Sequence, residues 1–331
     1  GNGSIQGEEF STISQNRNYN NYFLQMELWL TGKLHLEAGL AFNKTKYSLE
    51  DVFDKNSVAQ ETPFTFGSIW SPRMGLSYKV GNGKNIFIAV SKGFSVPAVS
   101  ETLTPEGQIN NDLKPEIGVN YEVGFKGNWL ENKLYTEVAF YSTQITNLLV
   151  ARRTAEDQYV GINAGSSSHS GIEFLLNYKL LSDKLFQITP YISGAVNNFK
   201  FKKFIDNDVD YSGNQLTGVP ENQFNFGLDL STKYGFNVNT SFRTMSKIPL
   251  NDSNTKYSEG YCLLDVKTSY AFAILKFLKL EMNAGINNAL NTKYAANILP
   301  NAVGFGTAAP RYFYPGNPIN YYVGFSVNYF F

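Results

Sequence analysis

Apolar residues fall on every second position along nearly the whole of this chain. In residues 22–30 the even positions Tyr22, Leu24, Met26, Leu28 and Leu30 are all apolar or aromatic. The next run sets Leu34, Leu36, Ala38, Leu40 and Phe42 against His35, Glu37, Gly39 and Asn43. Further on, Phe224, Phe226, Leu228 and Leu230 alternate with Asn225, Gly227 and Asp229. Leu278, Leu280, Met282, Ala284 and Ile286 alternate in the same way with Lys279, Glu281, Asn283 and Gly285. A period of two belongs to strands with one dry and one wet face. The wet face carries full charges and so meets water, whereas the dry face is long and continuous and needs a second sheet or lipid.

This pattern predicts about 13 strands, near residues 18–30, 33–48, 64–80, 85–97, 116–127, 133–150, 167–180, 185–200, 219–231, 235–247, 259–272, 277–289 and 319–331. Most exceed the ~9 to 11 residues that carry a tilted strand across a bilayer, where a sandwich strand has about five or six. The connections alternate between short and long. Short ones lie near 31–33, 81–84, 128–132, 181–184, 231–235 and 272–276, and long ones near 49–63, 98–115, 151–166, 201–218, 248–258 and 290–318. Bacterial outer-membrane barrels have short periplasmic turns and longer extracellular loops, and a soluble barrel has no reason to keep that asymmetry. The fold class read from the chain is therefore all-β, a transmembrane antiparallel β-barrel of the bacterial outer membrane.

Composition agrees. With 21 Tyr and 26 Phe the chain is 15% aromatic, and only 17% of it is charged. Aromatics favour strands and membrane interfaces, and Trp29, Trp70 and Trp129 near strand ends are expected in the interfacial girdles. The 28 basic and 28 acidic residues cancel, so nothing calls for a nucleic-acid partner. Mean hydropathy is −0.25, and no stretch has the ~18 to 20 uninterrupted apolar residues of a membrane helix. The single Cys262 allows no intrachain disulfide. There is no Gly-x-Ser-x-Gly elbow, no paired-His zinc motif and no Cys–His arrangement, so no enzyme and no cofactor is implied.

The last strand puts Val323, Phe325, Val327, Tyr329 and Phe331 on one face and ends on the terminal Phe. That pattern resembles the signal read by the barrel assembly machinery. With Phe331 at the periplasmic side, counting back through about 13 strands places the first residues outside the cell, whereas single-chain bacterial barrels have an even strand number. The expectation is that these 331 residues are one incomplete barrel domain, the C-terminal portion of a larger barrel whose first strands are missing, unless the count is wrong by one.

Several segments resemble the TonB-dependent outer-membrane receptors. They are residues 71–78 (SPRMGLSY), residues 92–97 (KGFSVP) with Glu101, residues 111–118 (NDLKPEIG) and residues 121–127 (YEVGFKG). Asn163-Ala-Gly165 with Gly171-Ile-Glu173, residues 285–294 (GINNALNTKY), Tyr314-Pro-Gly316 and the final strand continue the likeness in the family's order. The resemblance implies a 22-stranded barrel around an N-terminal plug, with the plug, the coupling box and about nine strands absent here. It implies energy-coupled uptake of an iron–siderophore or similar chelate, driven through the TonB–ExbB–ExbD system in the intact protein. A fragment without the plug would not transport by that route. A passive channel and an adhesion barrel acting through its long loops are the alternatives.

Haem receptors of this family carry a histidine between the halves of the motif that runs here from Phe94 to Leu113. This chain has none there, which counts against haem. Arg152 and Arg153 stand together after Leu149, and the planar guanidinium suits carboxylate-rich or other anionic ligands; a solvated loop or contact with lipopolysaccharide phosphates competes with that reading. Tyr159, Tyr211, Arg243, Arg311 and Tyr312 are candidates of the same kind on loops or upper strand ends, and His169 lies near an extracellular loop. His35 reads as a solvated lumen residue. Asp206, Asp208 and Asp210 have the spacing that opens a calcium loop, but Tyr211 and Thr217 stand where Gly and Glu are needed, so a solvated acidic loop is expected and no metal site.

Overall fold

A computed structural model describes residues 13–51, 62–102, 110–155, 158–206, 208–304 and 307–330. Alternation of dry and wet side chains leaves each segment able to satisfy its backbone only against a neighbour, and the result is one long antiparallel sheet. Among the described residues it contains thirteen long strands, each paired with its neighbours in chain order. They are β1 (Ile13–Trp29), β2 (Leu34–Asp51), β3 (Ile69–Gly81), β4 (Lys84–Ser95), β5 (Glu116–Trp129), β6 (Leu134–Ala155) and β7 (Gln158–Tyr178). The series continues with β8 (Phe186–Asp206), β9 (Asn222–Thr232), β10 (Phe236–Met245), β11 (Tyr261–Leu275), β12 (Leu278–Asn287) and β13 (Asn320–Tyr329).

The register collects the apolar positions into rows on one face. Tyr22, Phe42 and Trp70 are opposite one another, and so are Met26, Ala38, Met74 and Val90. At the other end Tyr270, Met282 and Phe325 form a row. Among the described residues no second sheet covers this face: Met74 is 51%, Phe140 51% and Met282 53% exposed. An apolar surface this continuous is foreign to a soluble monomer and suited to lipid. The opposite face is the lumen. There Arg73 reaches Glu37 at 3.2 Å and Gln25 bridges Glu27 and Glu37.

Apart from Ala139, Ala195 and Leu263 on the strands, the buried apolar residues form no layer along the sheet. They gather where long connections fold back on the inner upper wall, around Tyr47, Phe66, Leu113, Phe201, Phe204, Ile248 and Leu250. The Tyr47 hydroxyl, for example, donates to the Pro97 carbonyl at 2.7 Å.

Two expectations change. The loop expected at 151–166 is strand instead: β6 and β7 run 22 and 21 residues and stay paired up to Ala155 and Gln158. The pairing continues through a bulge. The register shifts between Thr146 and Leu148, and Asn147 adopts φ +56°, a left-handed conformation that Asn tolerates. The segment 114–116 is then stitched into the bulge. Asn163 donates to the carbonyls of Asn147 (2.8 Å) and Lys114 (2.9 Å), and the Glu116 carboxylate accepts the Leu149 amide at 2.8 Å. This is the physical work done by the Lys-Pro-Glu and Asn-Ala-Gly segments picked out in the sequence.

Trp29 is the second change. It pairs with His35 on the lumenal face, ring centroids 4.6 Å apart, and is not a lipid-facing girdle residue. Its parity follows Glu27, not Leu28. His35 itself faces the lumen 3.9 Å from Glu27. Trp70 and Trp129 do face outward, the latter under the Lys84 ammonium at 3.9 Å.

Gly165 (φ +155°) sits where a Cβ would overlap the Lys203 carbonyl of β8. Gly165→Ala in the intact barrel is therefore expected to cost about 1–3 kcal/mol, read as a lowered unfolding temperature by far-ultraviolet circular dichroism. Gly93→Ala, at an open site on β4, should change that temperature little.

Candidate extracellular ligand cavity

The rim opposite the short turns is where the long connections meet. Three of them, described over residues 208–221, 246–260 and 288–304 with 307–319, lean over the lumenal side of β6 and β8 and enclose a cavity of about 1160 Å³. Its wall comes from strands that continue past the bilayer: Leu148 and Val150 from β6, Phe201 and Phe204 from β8. The two Phe rings pack 4.5 Å apart and Tyr211 joins them at 5.5 Å.

Asparagine shapes the roof. Asn251 accepts the amides of Thr255 (3.0 Å) and Lys256 (3.2 Å), and Asn254 and Asn301 sit at φ +52° and +53°. These are turns in which a short amide side chain replaces a backbone partner. The same residues tie the loops together. Asn254 exchanges two hydrogen bonds with the Gln215 backbone, at 2.7 and 3.0 Å. Asn301 receives the Asp252 amide at 3.0 Å and donates to its carboxylate at 2.9 Å. The Thr217 hydroxyl donates to the other Asp252 oxygen. One carboxylate thus clasps three extracellular connections.

The polar lining is mixed. Asp206 and Asp252 bring negative charge, and Arg311 brings an exposed guanidinium that makes no ion pair among the described residues. The Lys256 ammonium lies 5.3 Å over the Tyr312 ring, a cation–π contact. Burial, and to a smaller degree the nearby Asp206 charge, pushes the Asp252 carboxyl above its ordinary value despite the hydrogen bonds it accepts.

Of the residues singled out in the sequence, Tyr211, Arg311 and Tyr312 line the cavity. The side chains of Arg152, Arg153 and Tyr159 lie outside the described residues; their backbones pair near the tip of the β6–β7 hairpin. His169 faces the lumen away from the cavity lining, stacked on Phe199 at 4.6 Å with Ser167 3.0 Å from Nε2. Arg243 donates to Asp265 at 2.6 Å, an ion pair on the lumenal wall whose carboxylate also receives the Asn288 amide. Asp206 closes β8 and lines the cavity, while Asp210 accepts hydrogen bonds from Ser212 that hold it below the usual carboxylate value. No group of three metal-ligating side chains occurs among the described residues. Asp252, Asn301 and the Phe201–Phe204 wall were missed. Residues 251–254 (NDSN) fall in the long connection expected near 248–258, but nothing in the sequence brings them to Asn301.

A wall dry outside and wet inside, with tight turns at one rim and a loop-built cavity at the other, is the arrangement of an outer-membrane β-barrel. Residues 1–289 match the family described as TonB dependent receptor-like, beta-barrel, and the chain belongs to that family. It sits in the outer membrane as a multi-pass β-barrel. It is 22% identical over 284 residues to the "Probable TonB-dependent siderophore receptor PiuA" of Acinetobacter baumannii, covering 82% of this chain and 36% of that protein. The crystal structure of PiuA superposes with a TM-score of 0.71 at 19% identity, over 96% of this chain and 44% of PiuA. Unliganded ferric citrate transporter FecA superposes at 0.75, with 16% identity, over 99% and 47%. At these identities the structural likeness is one of fold, and the chain spans less than half the length of these relatives.

The raised Asp252 value has a sign. Burial favours the neutral acid, so the clasp's full stability is present below the ordinary carboxylate pKa and is lost as pH rises through the raised one. Hydrogen-exchange protection of residues 251–254, corrected for intrinsic rates, should fall as pH rises above the ordinary carboxylate range. In Asp252→Asn it should stay flat.

Proposed function

We propose that the intact protein is an energy-coupled outer-membrane receptor that takes up an iron–siderophore or similar metal chelate, and that this chain supplies the C-terminal part of its barrel. The observation that carries the reading is the cavity: large, half apolar, lined by Tyr211, Tyr312 and Arg311, and opening at the extracellular rim of a wall that belongs to this family. An aromatic and apolar lining with a few convergent charges suits a chelate of mixed polarity, and the Arg311 fork, unpaired among the described residues, suits its oxyanions. The siderophore receptors and ferric citrate transporter among the relatives support that ligand class.

Coupling would run through TonB and ExbB–ExbD in the intact protein, with a plug inside the barrel. Among the described residues β1 and β13 each pair on one side only. The row Tyr321, Val323, Phe325, Val327 and Tyr329 on β13 supports recognition by the barrel assembly machinery, although Phe331 lies outside the described residues.

The test is uptake of radioiron by iron-starved cells carrying the intact receptor, offered ferric catecholate, ferric hydroxamate and ferric citrate in turn. At least one chelate should enter in a TonB-dependent manner, and Arg311→Ala with Tyr312→Ala should weaken its binding by about 10- to 100-fold. Uptake that persists without TonB would favour a passive channel, and no uptake of any chelate would sink the reading.

A further inference from the structure

Of the three connections over the cavity, the last differs from the others in charge. Residues 207–221 carry Asp208, Asp210 and Glu221, and residues 246–260 carry Lys247, Asp252, Lys256 and Glu259. Residues 294–310 hold no Asp, Glu, Lys, Arg or His. Apolar side chains left uncovered on such a loop mark a surface meant to meet something else. Leu299 and Val303 both line the cavity, yet they are 38% and 39% exposed. Phe201 and Phe204 on the opposite wall are already buried by the protein's own packing. The last connection therefore brings to the cavity apolar surface that the fold itself does not use.

A short ribbon fixes where that surface lies. Ala295–Ile298 pairs antiparallel with Phe313–Pro315, Ile298 opposite Phe313, and the Leu299 amide donates to the Tyr312 carbonyl at 2.9 Å. Two residues on, the Asn301 amide donates to the Leu250 carbonyl at 2.9 Å, and the Asn301 side chain holds Asp252. Leu299 is thus pinned across the ribbon from Tyr312. The apolar strip and the polar pair Arg311 and Tyr312 stand on the two arms of one hairpin and line one cavity. Leu148 and Val150 of β6, both half-buried, add aliphatic lining to the same space.

A cavity with a hydrogen-bonding pole beside an aliphatic strip suits a ligand divided in the same way. We propose that the chelate this receptor takes is amphiphilic. Its metal-binding head group is held at Arg311 and Tyr312, and a saturated hydrocarbon arm lies along Leu299, Val303, Leu148 and Val150. A head group of oxygen donors alone would leave Leu299 and Val303 in water, whereas an arm that covers them tightens binding about four-fold for each methylene buried. The inference rests on the chelate-receptor reading above and narrows its ligand class.

The experiment is equilibrium binding of radioiron chelates to the purified intact receptor. A catecholate, a hydroxamate and citrate are each offered bare and with an octanoyl chain attached. For the head group the receptor accepts, the octanoyl form should bind about 10- to 100-fold tighter, the gain from a few buried methylenes. Leu299→Ser combined with Val303→Ser should remove most of that gain and leave the bare chelate within about two-fold. Arg311→Ala should weaken both forms alike and leave the gain in place. Equal binding of bare and octanoyl forms, or a gain that survives the double variant, would overturn the amphiphilic ligand, and uptake of the bare chelate would still support the receptor. Binding of no chelate in either form would sink both readings.

Discussion

The constraint on which everything else depends is that lipid offers no hydrogen bonds. A strand in the bilayer can satisfy its amides and carbonyls only against another strand, so β1 to β13 pair consecutively over long registers. Pairing fixes which side chains share a row, and a slip of one residue would turn every dry position inward. The outward rows of Tyr, Phe, Leu, Val and Met and the lumenal rows of Glu, Arg and Gln are two readings of the same ladder.

Beyond the bilayer that constraint relaxes, and a different one takes over. The long connections are polar and carry many backbone groups that no ladder satisfies. Asparagine does this work repeatedly: Asn147 and Asn163 at the β6–β7 bulge, Asn251, Asn254 and Asn301 over the cavity, and Asn288 near the last hairpin, whose amide donates to the Thr292 and Asn317 carbonyls. Each side chain substitutes for a missing strand neighbour. The cavity owes its shape to this substitution more than to apolar packing, since only its inner wall of Phe201 and Phe204 is fully buried.

The two faces of the wall differ in what they offer. The lumenal side at the extracellular rim offers space, aromatic rings and the Arg311 guanidinium, which makes no ion pair among the described residues. The outer side offers the apolar rows that meet lipid. Neither depends on an unusual side chain.

What the sequence determined by itself was local and periodic. Alternation placed thirteen strands, most of them within about five residues of their ends but with β7 starting well before the expected 167; alternating connection lengths gave sidedness, and the parity of Tyr22 through Leu30 told outside from lumen. Tyr211, Arg311 and Tyr312 could be picked as loop candidates from residue type alone. The tertiary structure decided the rest. That β6 and β7 remain strands to Ala155 and Gln158 depends on Lys114 to Glu116 filling a bulge far along the chain. That Asp252 clasps Thr217 and Asn301 depends on loops separated by 35 and 49 residues meeting over one rim. Strand pairing writes a period into the sequence because each residue meets the same environment two positions on; loop meetings are single events between distant segments, and leave no repeating mark to read.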